Sequence, residues 1–160
     1  MNQLTQKERM LLQDEKAHEE LCIRKYGSYA LQAHDQQVRQ MFDKHQADEV
    51  QHHQTLTNIL GQGGQTGQVA RAGQSSAGGN AALQWNAAGV AQAGQAGTNQ
   101  DVMLCKDLLV TETFVSGVYD TAIFQVTDPR IRQTLEHIQK DEHQHGADLS
   151  GYLQQQGVSG

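Results

Sequence analysis

The chain has 160 residues, enough for one domain with a substantial core. Its net charge of −6 argues against nucleic acid or an anionic membrane as the main partner, because both attract basic surfaces. Only 37% of the residues are hydrophobic and 5% are aromatic, so the core must be narrow, as the core of a helical bundle is.

The start of the chain and its cysteines bear on where the protein is made. The first residues contain no apolar stretch behind a basic segment, so we expect no signal peptide. No segment approaches a transmembrane span. Cys22 and Cys105 form neither a CxxC pair nor a zinc pattern. We expect both thiols to be reduced and buried, as in an intracellular protein, with a bridge between them as the alternative.

The first arm of the chain predicts two helices. Thr5-x-x-Glu8 is a capping box that stands just before an apolar-periodic run. Asp35 can cap a second helix that runs to Leu60 and stops at Gly61. Residues 5–60 are therefore predicted to form one helix pair.

A low-complexity segment follows. Residues 61–100 are almost wholly Gly, Gln, Ala, Ser and Asn, with Arg71 as the only charge and Trp85 as the only large ring. Such a composition lacks the apolar surface to fold by itself. We interpret it as a long crossover that Trp85 pins to the rest of the protein.

The second arm predicts another helix pair, residues 101–157. Thr98 or Asn99 can open a third helix. Asp128 and Pro129 place a capping carboxylate and an N1 proline before a fourth helix, which ends near Gly157.

The two arms are copies of one unit. At an offset of 93 positions, residues 10–64 match residues 103–157 at 18 of 55 positions without a gap. The matching residues are chemically diverse, so shared low complexity does not explain them. Two related helix pairs joined by one long crossover is the topology of a ferritin-like, all-α four-helix bundle, formed by a single domain.

Each predicted helix carries an inward stripe at spacings of three and four residues, interrupted near its middle by a carboxylate. In the second and fourth helices a histidine follows that carboxylate three residues later. The predicted stripes, in chain order, are Leu11, Glu15, Glu19, Cys22, Tyr26 and Ala30; Val38, Phe42, His45, Glu49, His52, Leu56 and Ile59; Leu104, Leu108, Glu112, Val115, Tyr119 and Ala122; and Ile131, Leu135, Ile138, Glu142, His145, Leu149 and Tyr152.

These stripes predict a dinuclear metal site. One Glu from each of two helices and a Glu-x-x-His from each of the other two is the ligand set of ferritin-like di-iron and di-manganese proteins. Three residues is nearly one helical turn, so carboxylate and imidazole point at the same place. The predicted ligands of two divalent iron or manganese ions are Glu19, Glu49, His52, Glu112, Glu142 and His145. The alternative is a relic core of Glu–His hydrogen bonds without metal.

Two further polar residues lie on the stripes and break the repeat. Glu15 stands where the second copy has Leu108; it is either a hydrogen-bonding partner of His52 or a solvated carboxylate near the helix end. His45 stands where the second copy has Ile138, and we favour a hydrogen-bonded core histidine over a third nitrogen ligand.

The remaining tyrosines and histidines are interpreted structurally. Tyr26 and Tyr119 lie two turns from their glutamates and are predicted to be core layers rather than redox tyrosines. His53 and His143 point away from the stripes and are expected to face solvent.

The repeat, the paired Glu-x-x-His motifs and the Gly/Gln-rich crossover resemble a spore coat protein of the CotF type. The likeness is strongest over Lys140-Asp141-Glu142-His143-Gln144-His145 and Glu8-Arg9-Met10-Leu11-Leu12-Gln13-Asp14. The resemblance implies a structural role in the layered shell of bacterial endospores, made in the mother-cell cytoplasm. It implies contacts with other coat proteins and no established catalysis.

Two functions therefore compete. The favoured one is a structural coat protein, expected to form a homo-oligomer, with a metal site in its core. The alternative is a small di-iron or di-manganese oxidoreductase, an oxidase or a peroxide-disproportionating enzyme. Against the second, the chain has neither the paired-cysteine module of rubrerythrins nor the fifth helix of ferritin cages. An enzyme would need an open coordination position and a path to it.

Overall fold

A computed structural model describes residues 4–61 and 99–158. They form four helices and contain no strand: α1 (Gln6–Gln32), α2 (Gln36–Gly61), α3 (Asn99–Gln125) and α4 (Pro129–Gln155). The prediction of an all-α four-helix bundle is confirmed. The predicted crossover and the role of Trp85 lie outside the described residues. No helix in the described ranges has an apolar stretch long enough to cross a membrane.

The helix ends follow the predicted capping chemistry. At the start of α1, the Thr5 hydroxyl accepts from the Glu8 backbone N–H at 3.2 Å, and the Glu8 carboxylate accepts from the Thr5 N–H at 2.9 Å. The Asp128 carboxylate accepts from the Arg130 N–H at 2.9 Å, directly before α4. Gly157, with φ 73°, follows α4 in the left-handed conformation that glycine adopts most easily.

The two pairs, α1 with α2 and α3 with α4, pack as related halves, and the contacts that end each first helix are the same in both. The Arg39 guanidinium donates to the carbonyl of Ala33 at 2.8 Å. Ninety-three positions later, the Arg132 guanidinium donates to the carbonyl of Val126 at 2.6 Å. In each half an arginine from the second helix therefore binds a carbonyl of the preceding loop.

The halves also hold each other's loops. The Glu8 carboxylate, in the first turn of α1, accepts from the backbone N–H of Thr127 in the α3–α4 loop at 2.8 Å. The Asp101 carboxylate, in the first turn of α3, accepts from the backbone N–H of His34 in the α1–α2 loop at 2.8 Å. The two acids stand at equivalent repeat positions and differ in residue type, so sequence identity alone does not reveal the relationship. Because the start of α1 contacts the loop after α3, and the start of α3 contacts the loop after α1, these two helices run antiparallel.

The apolar core follows the predicted stripes, with one correction. In α1, Leu12 is fully buried and Leu11 only partly buried, so the prediction that Leu11 occupies the stripe was wrong. Leu12 lies seven residues before Glu19 and therefore continues the face that carries that glutamate, whereas Leu11 is turned toward its edge. Cys22 and Cys105 are free and buried, which confirms the prediction of reduced thiols.

Candidate metal centre

All six predicted ligands meet in the middle of the bundle, one from each of α1 and α3 and two from each of α2 and α4. None of them is more than 5% exposed: Glu19, Glu49, His52, Glu112, Glu142 and His145. Apolar layers close the bundle core above and below them, although the buried Glu15 and His45 also stand on the stripes, one turn from Glu19 and Glu49. The centre is thus enclosed by the core that the periodicity predicted.

The six residues form two overlapping groups: Glu19, Glu49, His52 and Glu142; and Glu49, Glu112, Glu142 and His145. Within each group, one donor atom of every residue lies within 4.8 Å of those of the others. The 93-residue repeat converts one group into the other. Glu49 and Glu142 belong to both, so they stand where carboxylates that bridge two cations would stand.

Each histidine lies closest to the glutamate of the opposite helix. His52 Nδ1 is 3.0 Å from a Glu142 oxygen and 3.6 Å from an oxygen of Glu49, its neighbour on α2. His145 Nδ1 is 3.1 Å from Glu49 and 3.8 Å from Glu142, its neighbour on α4. The centre is therefore assembled across the α2–α4 contact and not within either Glu-x-x-His motif alone.

The other nitrogen of each ring faces an aspartate. His52 Nε2 lies 3.4 Å from Asp141, and His145 Nε2 lies 3.4 Å from Asp48. With the proton on Nε2, each ring donates to its aspartate and Nδ1 presents a lone pair to the centre. The stripe pattern does not reveal this role of the two aspartates. Its only signal was that Asp48 and Asp141 match in the repeat, each directly before a predicted ligand.

The two tyrosines orient the outer glutamates. The Tyr26 hydroxyl donates to Glu112, and the Tyr119 hydroxyl donates to Glu19. Burial, together with these carboxylates, raises the pKa of both tyrosines well above its usual value, so they remain neutral donors. The rings are buried core layers, as the sequence predicted, and their hydroxyls leave the second oxygen of each glutamate facing the centre.

The atoms that face the centre have no hydrogen-bond partner. Eight buried donor or acceptor atoms of the six residues are unsatisfied: Glu19 Oε2, both oxygens of Glu49, His52 Nδ1, Glu112 Oε2, both oxygens of Glu142 and His145 Nδ1. Several are within ion-pair distance of one another, yet none is aligned as a hydrogen bond. Buried polar atoms rarely stay unpaired. Inward-facing carboxylate oxygens and imidazole nitrogens are also the donors that divalent iron and manganese accept, so the residues fit such ions.

The four buried carboxylates of the centre also need positive charge close to them. No lysine or arginine is among the buried residues of the described ranges. Burial raises the pKa of Glu112 and of Glu49. Burial by itself would lower the pKa of His52, but the carboxylates of Glu142, Glu19 and Glu49 around its Nδ1 raise it instead. Without cations, the centre must therefore hold protons to offset its carboxylates.

His45 is a hydrogen-bonded core histidine, which confirms the favoured prediction. Its Nε2 lies 3.1 Å from Asp148 and its Nδ1 lies 3.3 Å from the Tyr26 hydroxyl. The ring stacks on that of His145, with centroids 4.2 Å apart. Burial, and then the nearby His145, lowers the pKa of His45 to about 4, so the ring is neutral at pH 7.

Glu15 agrees with neither expectation drawn for it. It is fully buried, which excludes a solvated helix end. Both of its oxygens lack a hydrogen bond, and its nearest ion-pair partner is His18, at 3.7 Å. Burial, and then the charge of Glu19, raises the pKa of Glu15 to about 8. Among the peripheral histidines, His143 is exposed as expected, and the partly buried His53 pairs with Glu20 at 3.1 Å.

Two grooves between α2 and α4 approach the centre from outside. One, about 490 Å³ in volume, is lined by His52, Ile138 and Asp141 among others. The other, about 670 Å³, occupies the repeat-equivalent place and is lined by His45 and Asp148 among others. Of the six predicted ligands only His52 borders either groove, so the inward-facing donor atoms remain covered.

Part of the chain matches a known protein family. Residues 100–159 match the family model of the Coat F domain. A search of curated proteins and a search of solved structures each found no match. The matched region spans α3 and α4 and includes Glu112, Glu142 and His145. The resemblance to a spore coat protein of the CotF type is thereby confirmed: the second helix pair of this chain is similar to a Coat F domain.

Proposed function

We propose that this chain is a structural spore coat protein whose bundle is stabilised by two divalent iron or manganese ions. Glu19, Glu112, His52 and His145 would each bind one ion, and Glu49 and Glu142 would bind both. The observation that carries the proposal is the pair of overlapping donor groups, with eight inward-facing atoms that have no partner in the described residues.

Charge balance supports two divalent ions over protons. Four carboxylates would be neutralised by two such ions, which would leave both imidazoles neutral and free to bind through Nδ1. The aspartates on Nε2 already hold the rings in the orientation that this requires. The ions would join all four helices at one level, so binding would stabilise the fold.

The match to the Coat F domain supports the coat assignment. A protein of this kind would be made in the mother-cell cytoplasm and would contact other coat proteins. The covered position of the donor atoms also favours a structural centre over a catalytic one, because a substrate needs an open position on the metal.

The test combines metal analysis with thermal unfolding. Protein produced with iron and manganese should retain about two ions per chain, and a chelator should lower the melting temperature. Restored metal at a hundredfold excess over its dissociation constant should contribute about 2.7 kcal/mol. Glu142→Ala and His145→Ala should abolish the response, whereas His143→Ala, an exposed neighbour on α4, should retain it. The proposal is wrong if neither a chelator nor added metal changes the melting temperature of the wild type.

The grooves beside His52 and His45 keep an oxidoreductase as the second candidate. Two bound iron or manganese ions would supply the redox chemistry of an oxidase or of peroxide disproportionation. His52 and His45 could orient a small molecule that entered between α2 and α4. Peroxide turnover by the metal-loaded protein, lost on removal of the metal, would favour this function; metal-dependent stability without turnover would favour the structural one.

A further inference from the structure

The outer surface of α3 carries a largely exposed apolar seam, of which Phe114 also packs edge-on against the His18 ring of α1, with centroids 5.4 Å apart. Met103, Val110 and Phe124 stand at multiples of seven residues, seven and then fourteen apart, and they are 68%, 70% and 87% exposed. Phe114, 60% exposed, lies one turn after Val110. Gly117 continues the seven-residue spacing, and a side chain built there would meet nothing within 4 Å. We call these five residues the α3 seam.

A seven-residue apolar spacing is the pattern by which one helix packs along another. Exposed large side chains found singly need no explanation, but a continuous row of them marks an interaction surface. A Phe side chain buries 150–250 Å² on full burial, so the exposed side chains of the seam amount to roughly 500 Å². That area would form the apolar centre of a standard interface of about 800 Å² per partner.

The seam is complementary to itself. When two α3 helices lie antiparallel and cross near Phe114, Met103 of each copy is level with Phe124 of the other. In the same register Val110 is level with Gly117, the position with room for it. A bulky residue therefore meets a small one, and the two Phe114 rings meet at the twofold axis.

The charges beside the seam agree with this register. Lys106 and Asp120 are both exposed and flank the same side of the seam. In the antiparallel arrangement, Lys106 of each copy lies level with Asp120 of the other, so two opposite-charge pairs flank the apolar contact. A parallel arrangement would instead separate Lys106 from Asp120 by 14 residues along the helix, roughly 21 Å, so neither pair would form.

The equivalent row on α1 lacks this complementarity. Met10, Leu21 and Leu31 repeat the positions of Met103, Phe114 and Phe124. The position of Gly117, however, is taken by the exposed Arg24. A charged, long side chain there would prevent the close approach of a second helix, so the α1 row offers a matched control.

We infer that two copies of this chain form a twofold dimer through antiparallel packing of their α3 seams. The seam lies on the side of α3 opposite to Glu112, so the dimer neither needs the metal centre nor contributes to it. Failure of one proposal therefore leaves the other standing.

Sedimentation of the full chain tests the dimer. The wild type should sediment as a dimer, and Val110→Glu or Phe114→Glu should weaken dimerisation at least about tenfold, because each would bury an unpaired charge. Leu31→Glu, equally apolar and exposed on α1, should leave the dissociation constant unchanged. Circular dichroism should show wild-type helix content in all three variants.

A charge exchange provides a test that needs no change in the seam. Lys106→Glu should weaken the dimer about threefold at low salt, and the double variant Lys106→Glu with Asp120→Lys should restore it. This pair decides the matter if the seam variants fail to fold. A failure of the double variant to recover would reject the antiparallel register.

Other occupants of the seam give distinct results. A wild type that stays monomeric at high protein concentration overturns the proposal. If the monomer becomes a dimer when residues 64–84 are replaced by a shorter Gly/Ser segment, the chain's own crossover competes for the seam. If both remain monomeric, the seam serves a different protein. A dimer that Val110→Glu leaves intact uses another surface.

Discussion

His145 on α4 approaches Glu49 on α2 to 3.1 Å, closer than it approaches the glutamate of its own motif. The repeat-related contact, His52 with Glu142, is 3.0 Å long. A centre with these crossed contacts depends on how α2 and α4 face each other. Changes that alter this facing should therefore affect metal binding even where no predicted ligand is replaced.

Removing the aspartates behind the histidines should weaken metal binding without removing a ligand. Asp48→Asn and Asp141→Asn would each take a charged acceptor from an Nε2 atom, and we expect a loss of 10–100-fold in metal affinity, roughly, for each. The exposed Asp43, on α2, provides the control, and Asp43→Asn should bind as the wild type does. Calorimetric titration with Mn²⁺ measures the metal affinity of each variant. Equal affinity in all three variants would mean that the aspartates do not support the ligands.

The metal-free and metal-loaded proteins should respond to pH in opposite senses. In the folded, metal-free protein the pKa of His52 and of His145 is raised, and so is that of Glu49 and Glu112. A raised folded-state pKa gives stability that is complete below the unfolded value, about 6.5 for histidine, and is lost as the pH rises through the folded value.

The chelated protein should therefore melt at progressively lower temperature as the pH rises from mildly acidic to alkaline. Bound ions require deprotonated ligands, so metal affinity should instead increase over the same range. The difference between the two melting temperatures should widen with pH, as calorimetric scans can measure. A difference that is independent of pH would contradict the proton-neutralised metal-free centre.

Glu15 should cost stability at neutral pH, and the repeat supplies its natural replacement. Its carboxyl group has a pKa raised to about 8, so the folded state favours the protonated form. The penalty relative to the unfolded chain begins near pH 4.5 and grows until about pH 8. Glu15→Leu, which copies Leu108, should raise the melting temperature above pH 5, with the gain levelling off above pH 8. A stabilisation equally large at pH 4 would indicate better packing rather than removal of a buried acid.

Glu8 should stabilise the fold at neutral pH, and this stabilisation should be lost at acid pH. Burial would raise its pKa, but the backbone N–H groups of Thr127 and Thr5 together lower it to about 2. A lowered folded-state pKa gives stability that is present above pH 4.5 and is lost as the pH falls toward 2. Glu8→Gln should remove at most about 3 kcal/mol at pH 7 and flatten the acid limb of the unfolding curve. The exposed Glu20 supplies the comparison, since Glu20→Gln should leave that limb unchanged.

The sequence predicted the helices and the six inward residues well, because periodicity, caps and the repeat each report a local or one-dimensional property. It missed what depends on neighbouring helices. Asp48 and Asp141 stand next to the stripe and look like surface positions until α2 faces α4. The misplacement of Leu11 has a similar cause: two adjacent leucines both fit a stripe, and only packing chooses Leu12. The sequence placed Glu15 on the inward stripe but left open whether it is solvated, because its depth is set by the other three helices.

The mutual clamping of the loops by Glu8 and Asp101 has a consequence for ancestry. Each helix pair supplies two glutamates and one histidine to the centre, and each ties down the loop of the other. A free-standing pair would lack half of the donors and would leave its loop N–H without the partner acid. Two identical pairs, in contrast, would complete one another by twofold rotation. The chain thus has the form of a fused homodimer, in which one polypeptide joins two helix pairs that would otherwise have to associate as separate copies.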